Sequence, residues 1–191
     1  HGRLGRLMAE RDLAASLLPD SHFEERHRIR GIDAPLEALR ATILGFDDHS
    51  DIWLNALLWL RELPARLVYR WRPDLGLAPS QPRFGLASFT RLVDDHTGVA
   101  FGLAGCFWRL NFGLQPFTPA NPPGIAKLVL SFQWQRNAAG HHDLTTATRI
   151  YCTDDRTRRR MALYWAVIRP FSGLIRLRLL NHIRRASQAP H

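Results

Sequence analysis

The stretch LTTATRIYCTDDRTRRRMALYWAVIRPFSGLIRLRLLNHIRR, residues 144–185, decides how the chain folds. Its opening, Leu144 through Cys152, is rich in β-branched side chains and reads as a strand on a pleated surface. Thr153-Asp154-Asp155 follows with side chains suited to capping the free N–H groups of a helix start, and with acids near its positive end. Beyond it Met161, Tyr164, Trp165, Ile168, Phe171, Ile175, Leu179 and Ile183 fall on one broad face at 100° per residue. Arg158, Arg159, Arg169, Arg176 and Arg184 line the opposite face. The stretch therefore predicts a strand that runs straight into a long amphipathic helix ending near Arg185. Pro170 removes a backbone donor within it, and with Gly173 predicts a kink.

Upstream, the apolar strand 127–135, the turn Asn137-Ala-Ala-Gly140 and the strand 143–152 make a hairpin. Residues 89–93 and 99–108 make another around Asp94-Asp95-His96-Thr97-Gly98, where Asp, Thr and Gly supply the turn conformations. The run HFEERHRIRGI, residues 22–32, alternates loosely and carries the charges of an exposed first strand. After it, Asp33 and Pro35 open a short helix with Leu36, Leu39, Ile43 and Leu44 at helical spacing, and a second helix is predicted over 51–63, stopped by Pro64. Residues 70–84, with Pro73, Pro79, Pro82 and Gly76, read as a loop. Residues 1–21 read as a peripheral basic arm, closed by Pro19-Asp20, with Met8 as a candidate start. The order is strand, two short helices, antiparallel strands and a long last helix. It predicts an α+β domain over 22–191 whose sheet buries one face against that helix.

Composition narrows the classes of function. A chain of 191 residues with 46% hydrophobic residues suffices for one core. The formal charge is +9, but residues 154–191 alone hold nine arginines against two aspartates, so the surplus belongs to one helix face on a near-neutral domain. No nucleic-acid partner is expected from that pattern, since aromatic side chains for base stacking are not interleaved with the arginines. Two cysteines, Cys106 and Cys152, sit in apolar runs and give neither a disulfide framework nor a zinc spacing. No stretch reaches the length of a membrane span, and the start lacks the apolar region of a secretion signal, which together predict a cytoplasmic protein.

Four segments carry a family resemblance: GLAGCFWRL (102–110), PPGIAKLVLSFQW (122–134), TTATRIYCTDDRTRRRM (145–161) and YWAVIRPFSGLIRLRLLNHIRR (164–185). With the order of elements they resemble a bacterial branch of the START-related helix-grip superfamily, also called SRPBCC or polyketide-cyclase-like, over roughly 22–185. The resemblance implies a curved antiparallel sheet wrapped around the last helix, and an apolar cavity between them that takes a small hydrophobic or lipid-like molecule. It implies a carrier or a cyclase and supplies no catalytic motif. The family pattern places a glutamate where this chain has Ala147, leaving Arg149 without that partner.

Candidate residues for such a cavity are Ala104, Cys106, Trp108, Phe132, Trp134, Arg149, Tyr164, Trp165, Ile168, Phe171 and Ile175. Ala104 and Cys106 belong to a row of small side chains, with Ala100 and Gly102, opposite the bulky Val99, Phe101, Leu103 and Phe107. Such a row leaves room for a ligand or lets another backbone or subunit approach closely, so an oligomer contact fits it equally well. Arg149 either points inward to an anion or lies outward on the sheet, the cheaper placement for a guanidinium. For a proton-moving reaction the polar candidates are Arg149, Tyr164 and His182. His141-His142-Asp143 reads as a solvated hairpin end, because adjacent strand residues face opposite ways and cannot share a metal. No phosphate loop, nucleophile elbow or His-Glu-x-x-His pattern occurs, so neither a cofactor nor a metal is called for. The alternative function is an interaction protein that lays its arginine face on nucleic acid or an anionic membrane.

Overall fold

The structure, a computed structural model, describes residues 12–44, 89–109, 113–120 and 122–188. Its strands are β1 (Phe23–Ile32), β2 (Thr90–Asp94), β3 (Gly98–Gly105), β4 (Ala126–Arg136) and β5 (His142–Cys152). Three helices accompany them among the described residues: α1 (Leu13–Leu17), α2 (Leu36–Leu44) and α3 (Asp155–Gln188). Within α3 the side chains at 167, 168, 170–179, 182, 183 and 186–188 lie outside the description, as do the expected helix at 51–63 and the loop at 70–84. The fold is α+β, with one five-stranded antiparallel sheet in the order β1-β5-β4-β3-β2.

Local chemistry sets the hairpins. In the β2–β3 turn, Asp95 Oδ1 accepts bonds from Thr97 N (2.7 Å), Gly98 N (3.1 Å) and the Thr97 hydroxyl (2.7 Å). Burial pushes the Asp95 carboxyl up, but these bonds outweigh it and hold it below the ordinary aspartate value. Between β4 and β5, Asn137 Oδ1 accepts from Ala139 N and His141 N, and Gly140 takes the positive φ of +86° that the turn requires. Asp154 caps α3: its Oδ1 accepts from Thr157 N at 2.8 Å, and its Oδ2 from Gly124 N at 2.6 Å. α3 then continues as a single helix through Pro170 and Gly173.

Register divides the sheet into two faces. Val99, Phe132, Thr146 and His27 stand side by side across β3, β4, β5 and β1, as do Leu103, Leu128, Ile150 and Phe23. This face carries α2 and α3, which pack on each other, with α3 lying against β5, β1 and β4. The other face presents Ala100, Gly102, Val129, Ser131 and Ala147.

That second face carries α1, which lies inside the segment 1–21 expected as an arm. Asp12 caps α1 through bonds from Ala14 N and Ala15 N, and binds Arg26 of β1. Leu13 N reaches Gln133 Oε1 of β4 at 2.9 Å. Ala14 and Leu18 are buried against Val129 and Ala147. A five-residue helix has little stability alone. Its small side chain at Ala14 lets it lie close to the sheet, and the packing supplies what propensity does not.

Candidate functional site

Two apolar clusters anchor α3 to the sheet. Near its start Met161 is enclosed with Leu103, Phe107, Ile150 and Cys152, and Tyr164 and Trp165 pack on the same group. Near its end Leu180 is enclosed with Ile32, Leu39, Ile43, Phe132 and Leu144. At 1.5 Å per residue these anchors lie about 28 Å apart along the helix. Burial on the sheet between them is uneven. Val129 and Ser131, on the α1 side of the central strand, are 0% and 1% exposed, whereas Leu128 and Leu130, on the side under α3, stay partly exposed. A central-strand leucine beneath a helix is ordinarily sealed. Here the two leucines pack on the clusters at either end of α3 and keep part of their surface exposed.

Polar side chains flank the central strand on one side of this face. Glu25 and His27 of β1 sit opposite Thr148 and Thr146 of β5, all four on the α3 face. His27 Nε2 lies 2.9 Å from Glu25 Oε1, with the two side chains 22% and 9% exposed. Among the described residues the second carboxylate oxygen, Glu25 Oε2, is buried without a hydrogen-bond partner, and so is Thr146 Oγ1. On the other side the surface is apolar, formed by Phe101, Leu130 and Phe132 on β3 and β4. Across β1, β5, β4 and β3 this face therefore passes from polar to apolar side chains. A buried polar atom without a partner costs about 1–3 kcal/mol, and here two are diagonal neighbours on one face.

The candidate residues divide between faces. Phe132 and Trp134 lie on the α3 side; the indole N–H of Trp134 donates to His96 O at 2.7 Å, and Arg40 of α2 stacks over its ring at 5.7 Å. Tyr164 and Trp165 join this side, and Trp165 stands 6.3 Å from Phe23 in a tilted ring contact. Ala104 and Cys106 lie elsewhere, in a small cluster with Ile125 on the far side of the sheet. Among the described residues only Trp108 touches both this cluster and the one under α3, and its Nε1 is buried without a partner among them. The row of small residues cannot line one cavity with the helix aromatics, because strand alternation puts the sheet itself between them. Gly102 on that row accommodates Phe117, whose Cγ would stand 2.7 Å from an added Cβ. The small side chains here let another segment approach closely, one of the two uses foreseen for them.

Arg149 also points away from α3. Its Nη2 donates to Pro19 O at 2.8 Å and its Nη1 lies 3.4 Å from Glu24. These contacts tie β5 to the segment after α1. Ile168, Phe171, Ile175 and His182 lie outside the described side chains. His142 Nδ1 sits 3.0 Å from Ala34 O, and His141 Nε2 lies 3.8 Å from Asp33 Oδ1. Among the described residues no group of three or more His, Cys, Asp or Glu stands close enough to hold a metal ion, and no helix is long and apolar enough to cross a membrane.

Sequence reasoning missed Glu25 and His27, and with them Thr146 and Thr148. The signal was present in HFEERHRIRGI: positions two apart on a strand share a face, so Phe23, Glu25, His27 and Ile29 belong together while Glu24, Arg26, Arg28 and Arg30 face the other way. No known family model matches the chain, and no curated protein does.

Proposed function

We propose that this protein binds a small hydrophobic or lipid-like molecule between the sheet and α3. The observation that carries the reading is the partial exposure of Leu128 and Leu130 on the central strand, directly under a helix that is anchored at both ends. Ligand sites are typically concave and apolar with a few fixed polar groups, and this face offers both kinds of surface. A long last helix crossing one face of an antiparallel sheet also supports the helix-grip arrangement that the resemblance to the START-related superfamily implies. The reading is of binding, since fold alone does not confer a reaction. If substrate turnover accompanies binding, a cyclase-like step would rest on the orienting power of the pocket and on proton transfer by its polar row.

The competing reading is an interaction with nucleic acid or an anionic membrane through exposed Arg156, Arg158, Arg159 and Arg160 on the first turns of α3. Arg158 already lies 3.2 Å from Asp155, and contacts of this kind weaken steeply with salt. The deciding experiment is titration of the native protein with an apolar fluorescent dye, followed by displacement with long-chain and polycyclic compounds. Saturable binding that Leu130→Trp abolishes in a folded protein supports the pocket. Absence of dye uptake, or uptake unchanged in Leu130→Trp, counts against it.

A further inference from the structure

We infer that the outward side of α3 docks the protein on the surface of an anionic phospholipid bilayer, with arginines on the headgroup phosphates and Leu163 at the hydrocarbon edge. The inference goes beyond the pocket reading and does not depend on it, because it uses the side of the helix turned from the sheet. Arg156, Arg159, Arg160 and Leu163 share a helical stripe about 100° wide, and Met161, buried on the sheet, lies about 160° round from Leu163. All four are exposed, Leu163 at 73%. Along its 34 residues α3 holds nine arginines and a single acid, Asp155. Among the described residues the one ion pair within α3 joins that acid to Arg158 on the flank of the stripe, so Arg156, Arg159 and Arg160 are left outside it. Arg184 and Arg185 are exposed at the other end of the helix, about 40 Å away.

The composition of the stripe selects the partner. A single exposed leucine is ordinary on a protein surface. This one stands one turn from Arg159 and Arg160, so the side that meets an anionic layer also presents hydrocarbon to it. A guanidinium grips phosphate through two N–H groups at once. The surface that offers phosphates and, within one side chain's length beneath them, apolar tails is the interface of an anionic bilayer. A nucleic acid supplies phosphates too, but the exposed positions over 156–163 are arginines, Ala162 and Leu163, with no aromatic or amide side chain to stack on a base or read its edge. A second copy of the chain laid on the same stripe sets arginine against arginine, which repels.

The test is sedimentation of the full chain with vesicles of phosphatidylcholine alone, and of phosphatidylcholine with an equal part of phosphatidylglycerol. Binding is expected on the anionic vesicles and is expected to be about tenfold weaker, or more, on the neutral ones. Each arginine near the surface corresponds to about a fivefold change in partition, so Arg159→Gln with Arg160→Gln should weaken binding about twentyfold. The paired change to lysine, which keeps the charge, should retain most of it. Leu163→Ser should weaken binding about tenfold, and by a similar factor at high salt, because lost apolar burial is not screened. Arg30→Gln removes an exposed charge from the face of β1 turned away from α3, and should change binding less than about twofold. All these side chains are exposed, so circular dichroism should show each variant folded. Equal binding to neutral vesicles, no binding to either kind, or an equal loss in Arg30→Gln overturns the inference. So does tighter binding to a DNA duplex at the same salt, or a dimer in sedimentation equilibrium that Leu163→Ser dissolves.

Discussion

Phe117 lies so close over Gly102 that a Cβ on the glycine would meet the ring at 2.7 Å, with Leu92 Cδ1 at 2.8 Å on its other side. Gly102 is thus a packing requirement of the second layer, where the segment after β3 folds back across the sheet. Gly102→Ala should destabilise the protein by about 1–3 kcal/mol through overpacking. Phe117→Ala in the same chain should return part of that loss, so the double variant is more stable than the sum of the single effects predicts. Urea unfolding of the four proteins measures this, and additivity within error would show that ring and glycine do not meet.

Trp165 should matter to stability less than a fully enclosed tryptophan. It is half-buried beside Phe23 at the β1 edge. Trp165→Ala is expected to cost about 2–3 kcal/mol, below the 3–5 typical of complete burial. An unchanged thermal midpoint would place the indole away from the sheet.

Asp143 gives stability a defined dependence on pH. Burial raises its pKa, but bonds from Gly31 N at 2.9 Å, Asn137 Nδ2 at 3.0 Å and Arg28 at 2.8 Å outweigh this and hold the folded value below 3.8. With the folded value depressed, its contribution is complete above the unfolded value and disappears as pH falls through the folded one. Asp143→Asn should therefore lose about 2–3 kcal/mol at pH 7. As pH drops below about 4 the gap between variant and parent should narrow. A gap that stays constant down to pH 2.5 would contradict the assignment.

Cys152 should be chemically silent in the folded state. Burial first, then the nearby charge of Asp154, pushes its thiol up to about 12, against a smaller opposing effect of Arg158. At pH 8 that leaves about one thiolate in ten thousand. Iodoacetamide at pH 8 should leave Cys152 unmodified in the native protein and label it in guanidinium, as read by peptide mass spectrometry. Prompt native labelling would show that the end of β5 is open.

Much of the architecture was legible from local pattern. The turn ending in Gly140, the cap at Asp154 and the passage from β5 into α3 each depend on residues a few positions apart and stand as read. The turn expected over Asp94-Asp95-His96-Thr97-Gly98 is shorter, with Asp94 ending β2 and Gly98 opening β3. Alternation along β3 also separated Val99, Phe101 and Leu103 from Ala100, Gly102 and Ala104. What a single strand could not reveal is which face the long helix covers, and so the small residues were grouped with the helix aromatics although the sheet divides them.

The polar half of the candidate site depends entirely on distant pairing. Glu25 and His27 meet Thr148 and Thr146 across more than a hundred residues of chain, and their two-residue spacing acquires meaning only once the β1–β5 register turns that face toward α3. α1 is a similar case, since five residues acquire a stable position only from Gln133, Arg26 and the cleft over Val129 and Ala147. The sequence by itself determined the five strands and the helices that follow β1 and β5, because turns, caps and amphipathic periods are short-range. Only the tertiary structure decided which side chains share a site, because register and layer order are settled by long-range burial, where a shift of one residue sends every side chain of a strand to the opposite face.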